Sequence, residues 1–320
     1  LRHLSALTRL TQLDLTAAKA TDAGMAALRP LIRLRRLGLS NINLGDAGLK
    51  ILKDFPELEN LDLRFSGIAD SSMAYLKGLR HVRTLTLKKT RVGDAGLKHL
   101  RQARGLIRLD LEDTAVTDKG LAHLSRHLRL ENLALNKTRI GDGGLKNIQG
   151  LVNLKRLELS GTQVTDAGLV FLAAMRGLEE IRLSNTAITD KGLRELEGHK
   201  NLSVIEIRDT RATEDGLRTL AASLPRLRYF VHAPDDFGRL IQEARAAAQK
   251  GDRESALALL ARAENLRFDA AARHAAALLY QDLKDYRRAL DIFERLALEY
   301  PADAKYRNDL KLCRAKMPRL

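Results

Sequence analysis

The feature that most constrains this chain is a run of apolar residues repeated every 24 positions. Nine consecutive frames follow the spacing L-x-x-L-x-L, and they begin at Leu10, Leu34, Leu58, Val82, Leu106, Leu130, Leu154, Leu178 and Leu202. A unit repeated at fixed spacing cannot bury its apolar face alone, so neighbouring copies stack into one continuous core. The sequence therefore predicts an α/β solenoid whose working surface is extended rather than a closed pocket.

One copy shows how each repeat divides into a strand, a turn and a helix. Around Leu157 apolar and polar residues alternate, which is the period of a short strand with one buried face. Leu169 and Leu172 are three residues apart and continue as a helical stripe. Thr165 and Asp166 precede that stripe, and we expect their side-chain oxygens to cap the start of the helix.

This arrangement resembles the leucine-rich repeat family, in particular the 24-residue class ending in T-x-V-T-D-x-G-L. That class is common in bacterial repeat proteins and is similar to the ribonuclease-inhibitor-like arrays. The resemblance covers residues 1–232, which we expect to form one domain with about nine complete repeats. It implies a right-handed horseshoe with parallel strands on the concave face and helices outside. It also implies a protein partner on the concave face and no active site.

The residue after each predicted strand departs from the family pattern. Threonine replaces the family's usual asparagine in the later repeats, at Thr90, Thr114, Thr138, Thr162, Thr186 and Thr210. Its hydroxyl suits a hydrogen bond to backbone groups inside the turn. The first three repeats carry Ala18, Ile42 and Ser66 there, so we expect that end to be less regular.

Beyond residue 232 the apolar spacing becomes that of long helices. The segment resembles a tetratricopeptide repeat, which implies packed antiparallel helices, so we predict an all-α, TPR-like bundle over residues 233–320. At least three such repeats are usually needed for stability, so we expect the bundle to depend on the last leucine-rich repeat or on another chain. A second protein or self-association is the expected role. The resemblance is carried by Tyr280, Tyr286, Ala289, Phe293 and Pro301.

Register also bears on the N-terminal end. Leu4 and Leu7 fall 24 positions before Leu28 and Leu31, so the chain opens inside the helix of a repeat. We expect further sequence before Leu1. This leaves an alternative function open, in which the array is the recognition arm or a subunit of a larger enzyme complex of the kinase, protease or ubiquitin-ligase type.

The formal net charge of +15 raises the question of nucleic acid. Residues 1–232 hold 38 Lys and Arg against 26 Asp and Glu, but many of the basic residues fall on the outer helix positions. Single-strand binders add aromatic stacking platforms to their charge. Here the concave face offers only Phe65, and the chain has no tryptophan. The sequence therefore argues against nucleic acid and favours a protein partner.

The strand alternation places charges of both signs on the concave face. Basic residues such as Lys88, near the aromatic Phe65, are followed one repeat later by acidic residues such as Glu112. We expect them to form a basic patch facing an acidic patch, which suits a protein partner with complementary charges. The alternative without a binding role is a solvated sheet face whose opposite charges pair with each other across strands. The candidate partner-binding residues are Arg36, Arg64, Phe65, Lys88, Lys89, Arg108, Asp110, Glu112, Asp113, Arg156, Glu158 and Arg182.

The remaining polar patterns predict no catalytic, cofactor or metal site. One aspartate per repeat, from Asp22 to Asp215, stands at the helix starts; capping explains this better than a calcium ladder, which needs six to eight oxygen ligands. His123 and His127 lie one helical turn apart but lack the glutamate of H-E-x-x-H, so we interpret them as surface and packing residues. Neither a phosphate loop nor a G-x-S-x-G elbow occurs.

The composition of the chain limits where in the cell we expect it to be. No apolar run approaches the roughly 18 residues needed to cross a membrane, so no membrane partner is expected. Cys313 is the one cysteine, and we predict that it packs in a helix rather than reacting. The absence of disulfide-forming cysteines favours the cytoplasm.

Overall fold

The structure is a computed structural model that describes residues 1–227, 229–231, 236–264, 270–299 and 303–317. The chain divides into two compact units, Leu1–Leu227 and Arg228–Leu320. The sequence places this division at residues 232 and 233.

The first unit is the predicted leucine-rich-repeat solenoid. Its strands run parallel and pair in chain order, and each pairing joins residues 24 positions apart, as Leu13 with Leu37 and Leu37 with Leu61. This register keeps the central leucine or isoleucine of each strand from β2 to β9 buried, from Leu37 to Ile205. The strands are β1 Gln12–Asp14, β2 Arg36–Gly38, β3 Asn60–Asp62, β4 Thr84–Thr86, β5 Arg108–Asp110, β6 Asn132–Ala134, β7 Arg156–Glu158, β8 Glu180–Arg182 and β9 Val204–Glu206.

Short helices return the chain to the next strand. The α-helices are α1 Asp22–Met25, α2 Asp46–Leu49, α3 Asp94–Leu97, α4 Asp118–Leu121, α5 Asp142–Ile148, α6 Asp166–Leu169, α7 Asp190–Arg194 and α8 Glu214–Ser223. The 3₁₀ helices are Arg2–Ala6, Ala26–Leu28, Lys50–Asp54, Ser72–Leu76, Lys98–Gln102, Ala122–Leu124 and Val170–Leu172. Short helices suffice because each repeat buries only a few leucines, such as Leu97 and Leu121, in the shared core.

The turns after β3 to β9 are closed by side-chain hydroxyl bonds. Thr90 Oγ1 donates to the carbonyl of Leu87 at 2.6 Å, and the five later threonines make the equivalent bond. In the first two repeats Ala18 and Ile42 cannot make this bond, so that end is less regular, as expected. The expectation was wrong for the third repeat, since Ser66 Oγ donates to the Leu63 carbonyl at 2.5 Å. A serine hydroxyl occupies the position of the threonine hydroxyl, so that repeat closes like the later ones.

A backbone feature that the sequence analysis missed lies one residue earlier in each turn. Nine successive repeats place this residue in the left-handed region, with φ between 52° and 70°. Glycine, asparagine and aspartate tolerate this conformation best, and they occupy five of the nine positions, which was the available signal. The residues are Ala17, Asn41, Phe65, Lys89, Asp113, Lys137, Gly161, Asn185 and Asp209.

The aspartate at each helix start joins neighbouring repeats. Thr165 caps its own helix as predicted, accepting from the amide of Ala167. The expectation that Asp166 does the same was wrong, because its carboxylate accepts from the next repeat's Thr189, from the backbone N–H at 2.8 Å and from Oγ1 at 2.6 Å. We call these contacts the aspartate ladder. Its acceptors are Asp22, Asp46, Asp70, Asp94, Asp118, Asp142, Asp166 and Asp190.

The ladder explains the glycine two residues after each aspartate. A Cβ atom on Gly144 would lie 2.6 Å from a carboxylate oxygen of Asp118, the aspartate of the preceding repeat. Ser72 replaces this glycine in one repeat, and its hydroxyl donates to Asp46 at 2.6 Å. The D-x-G motif is therefore a contact between repeats, in which the carboxylate packs where a larger side chain would stand.

Two histidines belong to the core of the array. His127 and His199 are fully buried, three repeats apart, and each Nε2 lies 3.0 Å from a backbone carbonyl of the preceding repeat. Burial lowers the pKa of both imidazoles. This confirms His127 as a packing residue. His123 is half-buried, and its Nδ1 accepts from Arg101.

The second unit is helical. Its buried cluster includes Tyr280, Ala289 and Phe293 from the predicted pattern, whereas Pro301 lies outside the described residues. Cys313 is buried as predicted, and burial raises the pKa of its thiol. The elements are a strand β10 Tyr229–Val231 and the helices α9 Asp236–Gln249, α10 Arg253–Glu264, α11 Ala270–Asp282, α12 Tyr286–Glu299 and α13 Ala304–Lys316.

A side-chain hydrogen bond joins two of these helices. His274 on α11 contacts Asp309 on α13, with Nε2 2.6 Å from Oδ2. The imidazole is packed between the rings of Phe293 and Tyr306, whose centroids lie 5.9 and 5.3 Å away. This contact joins α13 to the interior of the second unit.

Candidate functional site

The exposed side of strands β1 to β9 is the candidate surface, and we call it the strand face. Strand pairing aligns its side chains in rows that cross all nine repeats. The first row is Gln12, Arg36, Asn60, Thr84, Arg108, Asn132, Arg156, Glu180 and Val204. The second is Asp14, Gly38, Asp62, Thr86, Asp110, Ala134, Glu158, Arg182 and Glu206. The third is Thr16, Ser40, Arg64, Lys88, Glu112, Asn136, Ser160, Ser184 and Arg208.

Charge in the first two rows is sorted by sign over β1 to β7. The first row holds three arginines and no acid up to Arg156, and the second holds four acids and no base up to Glu158. At β8 the order reverses, because Glu180 stands in the first row and Arg182 in the second. The strand face therefore carries a cationic stripe beside an anionic stripe, and both end at β8.

The strand-face residues of β7 to β9, which we call the paired region, satisfy one another. Glu180 is buried between two arginines, with its carboxylate 2.6 Å from Arg156 and 2.8 Å from Arg182. Arg182 also lies 3.8 Å from Glu158 and 3.7 Å from Glu206. Sequence reasoning missed Glu180, although its place between two arginines in register was a usable signal. The predicted residues Arg156, Glu158 and Arg182 all belong to this network.

The pKa of Arg182 reflects two opposing effects in this network, burial and the neighbouring carboxylates. Burial lowers the pKa of its guanidinium, but the carboxylates of Glu158, Glu180 and Glu206 outweigh burial, so the net shift is upward. Arginines held by several carboxylates keep a fixed orientation. The paired region is thus a stiff surface with little unsatisfied charge.

The strand-face residues of β1 to β5, which we call the open region, contain fewer ion pairs. Arg64 bonds Asp62 within its own repeat at 2.8 Å, and Lys88 bonds Glu112 of the next repeat at 2.8 Å. The hydrogen bond to Glu112 raises the pKa of Lys88. The predicted basic and acidic patches do face each other, and they neutralise each other at Lys88 and Glu112.

Other charges of the open region have no ion pair among the described residues. These are Arg36 and Arg108 in the first row and Asp14 and Asp110 in the second. Asp110 is half-buried, and burial raises the pKa of its carboxyl group, as do the charges of Glu112 and Glu158. The backbone N–H of Glu112, which donates to Asp110 at 3.0 Å, and the charge of Lys88 oppose the rise without cancelling it. An ionised Asp110 is therefore under-compensated in this structure, and an added cation would stabilise it.

Small residues separate these charges and leave open grooves. Gly38 and Thr86 alternate with the acids of the second row, so a groove of about 530 Å³ lies over β1 to β4. A second groove of about 220 Å³ continues over β4 to β7, lined by Arg108, Asp110 and Ala134. Each groove is open space between charged side chains, in which the backbone of a bound peptide could lie.

The left-handed turns place three predicted residues at the margin of the strand face. Phe65, Lys89 and Asp113 follow one another in consecutive repeats. The ammonium of Lys89 lies 5.4 Å from the centroid of the Phe65 ring, and Phe65 is 45% exposed. This is a cation–π contact at the end of the strands, beside the open region.

Nothing in the described parts of the chain suggests a metal centre. No group of three or more His, Cys, Asp or Glu within them is arranged to hold a metal ion. The ladder aspartates bond to protein donors, as the contacts of Asp94 with Thr117 show. No described helix combines the length and apolar character needed to cross a membrane.

Comparisons with known proteins agree with the repeat geometry. Residues 151–173 match the model of the leucine rich repeat. An internalin, InlF, from Listeria monocytogenes superposes with a TM-score of 0.53 at 20% identity, covering 73% of this chain and 77% of that chain. Internalin C2 from the same species gives 0.48 at 21% identity over 72% and 84% of the two chains. The first unit therefore has the leucine-rich-repeat fold.

A plant structure was also found. The ectodomain of the Arabidopsis thaliana receptor kinase GASSHO1/SCHENGEN3, in complex with CASPARIAN STRIP INTEGRITY FACTOR 2, gives a TM-score of 0.46 at 15% identity. It covers 72% of this chain and 33% of that chain. No curated protein sequence matches this chain.

Proposed function

We propose that this protein is a non-enzymatic scaffold whose strand face binds a protein partner, chiefly through the open region. The observation that carries the proposal is the contrast between unpaired Arg36, Arg108 and Asp110 and the self-paired charges around Glu180. Unpaired charges beside grooves are available to a partner, whereas charges in the paired region must first give up protein contacts.

Solenoid geometry supports the same assignment. A row of parallel strands presents one side chain per repeat at a spacing of about 4.8 Å, which forms an extended surface instead of an enclosed pocket. Mixed charges and hydrogen-bonding side chains suit a polar protein interface, and Phe65 adds an exposed aromatic group at its margin.

The second unit has a role of its own in this proposal. We propose that it is a TPR-like bundle that docks a second protein or assembles the chain, and that the array belongs to the 24-residue class ending in T-x-V-T-D-x-G-L. The buried cluster containing Tyr280, Ala289 and Phe293 supports the first assignment. We further propose a bacterial, cytoplasmic protein, on the basis of the repeat class and the single buried cysteine.

Site-specific photo-crosslinking tests the main proposal. A photoreactive amino acid replaces Thr84 in the open region, and a matched variant carries it at Ala74, which is exposed on a 3₁₀ helix. Both full-length proteins are irradiated in native lysate, and the adducts are identified by mass spectrometry. We expect a defined protein adduct from position 84 alone. Equal adducts from both positions, or adducts from position 74 only, would contradict the assignment of the strand face.

A further inference from the structure

The two stripes restrict what kind of protein segment fits the open region. Resting on the function proposed above, we infer that its occupant is an extended segment lying across the strands, with basic side chains on one edge and acidic side chains on the other. Side chains of an extended chain alternate between two sides, so one edge faces the first row and the other faces the second.

The width of the surface matches this arrangement. Adjacent first-row and second-row residues, such as Arg108 and Asp110, are two positions apart on one strand, which separates the rows by about 6.6 Å. The grooves over β1 to β7 are lined by residues of both rows, including Gly38 in the first groove and Ala134 in the second. A peptide backbone that follows the grooves reaches both rows with its side chains.

Spacing along the array fixes where the charges of the segment fall. Arg36 and Arg108 are three strands apart, about 14 Å, and four residues of extended chain span about 13 Å. Asp14 and Asp110 are four strands apart, about 19 Å, and six residues of extended chain span about 20 Å. Acidic residues four apart and basic residues six apart therefore meet the four unpaired charges.

These two spacings combine into one pattern. A basic residue at position 1 meets Asp14, acids at positions 2 and 6 meet Arg36 and Arg108, and a basic residue at position 7 meets Asp110. Odd positions face the second row and even positions face the first, so the assignment obeys the alternation of an extended chain. The expected motif is basic-acidic-x-x-x-acidic-basic, and it reads the same in both directions.

The pairs already formed in the open region fit this pattern. Asp62 and Arg64 bind each other, as do Lys88 and Glu112, so positions 3 to 5 of the segment meet neutralised charge. The reversal at Glu180 and Arg182 ends the stripes at β8. The segment therefore lies over β1 to β5 and carries no specified charge at its centre.

Peptide binding with a charge swap tests the inference. The probe is a fluorescein-labelled Lys-Glu-Thr-Ser-Thr-Glu-Lys peptide, and the matched control is Lys-Lys-Thr-Ser-Thr-Glu-Glu, which has the same composition. Fluorescence anisotropy with the full chain at low ionic strength should show the probe binding about tenfold more tightly than the control. Equal binding of the two peptides would overturn the inference.

A double variant makes the test specific to position. Exchanging the charges at β5, as Arg108→Glu with Asp110→Lys, should transfer the preference to Lys-Glu-Thr-Ser-Thr-Lys-Glu. Lys98→Glu, an exposed change on the outer 3₁₀ helix, should leave the preference of the unmodified chain unchanged. Thermal unfolding confirms that each variant is folded. A folded double variant that keeps the original preference would refute the motif.

The two experiments separate the inference from the proposed function. A partner adduct at position 84 together with no discrimination between the peptides leaves the strand face as the binding surface and removes the charge motif. If position 84 gives no adduct but the peptides are clearly discriminated, the proposed binding of a protein in the lysate is contradicted, while the charge motif is retained. Because crosslinking does not depend on charge order, neither result follows from the other.

Discussion

The open region and the paired region are built on the same framework but expose different chemistry. Leu85 and Leu109 under the first, and Leu157 and Ile181 under the second, are all buried in equivalent register. Three-residue strands thus form with or without ion pairs above them. The ion pairs around Glu180 are therefore not required for the strands to form. Arg36 has no such pair among the residues that the structure describes, so its charge is free to interact with a ligand in the proposed function.

Removing the aspartate ladder should have the largest effect, and it should be equal under the two regions. We expect Asp94→Ala and Asp166→Ala each to lower the free energy of unfolding by about 2–4 kcal/mol, since each leaves a threonine N–H and hydroxyl without a charged acceptor. Urea unfolding followed by circular dichroism measures this. The Asn variants should lose less, because an amide oxygen still accepts from the N–H. A strongly unequal loss would show that the two parts of the framework differ.

A smaller effect should distinguish the regions. Glu180→Ala leaves Arg156 and Arg182 without their shortest contacts, so we expect a loss of about 1–3 kcal/mol. Arg36→Ala removes an unpaired charge and should change stability by no more than about 0.5 kcal/mol. Both values come from the same urea titration. Similar losses for the two variants would contradict the division of the strand face.

The buried histidines should make stability depend on pH. Burial lowers the pKa of His127 and His199 in the folded state, so the unfolded chain binds more protons, and stability should fall as the pH drops below about 6.5. Leucine occupies the equivalent core position at Leu151, so His127→Leu and His199→Leu are matched replacements. Each should reduce the slope of unfolding free energy by at most about 1.4 kcal/mol per pH unit. An unchanged slope in both variants would argue against neutral, buried imidazoles.

The smallest stability effect should have the opposite sign. The pKa of Asp110 is raised, so its ionised form is disfavoured in the folded chain, and this cost appears as the pH rises through the carboxyl range. Asp110→Asn should therefore stabilise the array at pH 7 by up to about 0.5 kcal/mol while weakening the Lys-Glu-Thr-Ser-Thr-Glu-Lys peptide. Thermal unfolding and anisotropy measure the two effects. A variant that loses stability and retains binding would assign Asp110 a structural role.

Sequence periodicity was sufficient for most of the fold. The spacing from Leu10 to Leu202 predicted the stacked 24-residue repeats, and the family resemblance implied that their strands run parallel. The threonines predicted the turn closures, because these contacts recur identically. The repeat spacing also located the charged rows. The periodic pattern could not show that Asp166 bonds the following repeat, since a helix-start aspartate is equally compatible with a local cap.

The distribution of ion pairs was only partly readable from the sequence pattern. Arg156 and Arg108 occupy equivalent positions, yet one is paired and the other is not, because the next strand carries Glu180 in one case and Asn132 in the other. Side-chain rotamers and burial decide which of several neighbouring charges meet. Strand alternation predicted which residues lie on the strand face, whereas the distances between their charged groups required the structure.

The aspartate ladder also bears on how such an array lengthens. Each repeat presents one carboxylate forward and one cleft for a carboxylate behind, as Asp118 and Gly144 show, so any two copies are compatible neighbours. Duplication of a 24-residue block inside the gene, cut at any point of the cycle, would insert a strand without disturbing either junction. Growth by whole copies would also shift the spacing between Arg36 and Arg108 in steps of one strand, and so adjust ligand length without redesign of the interior.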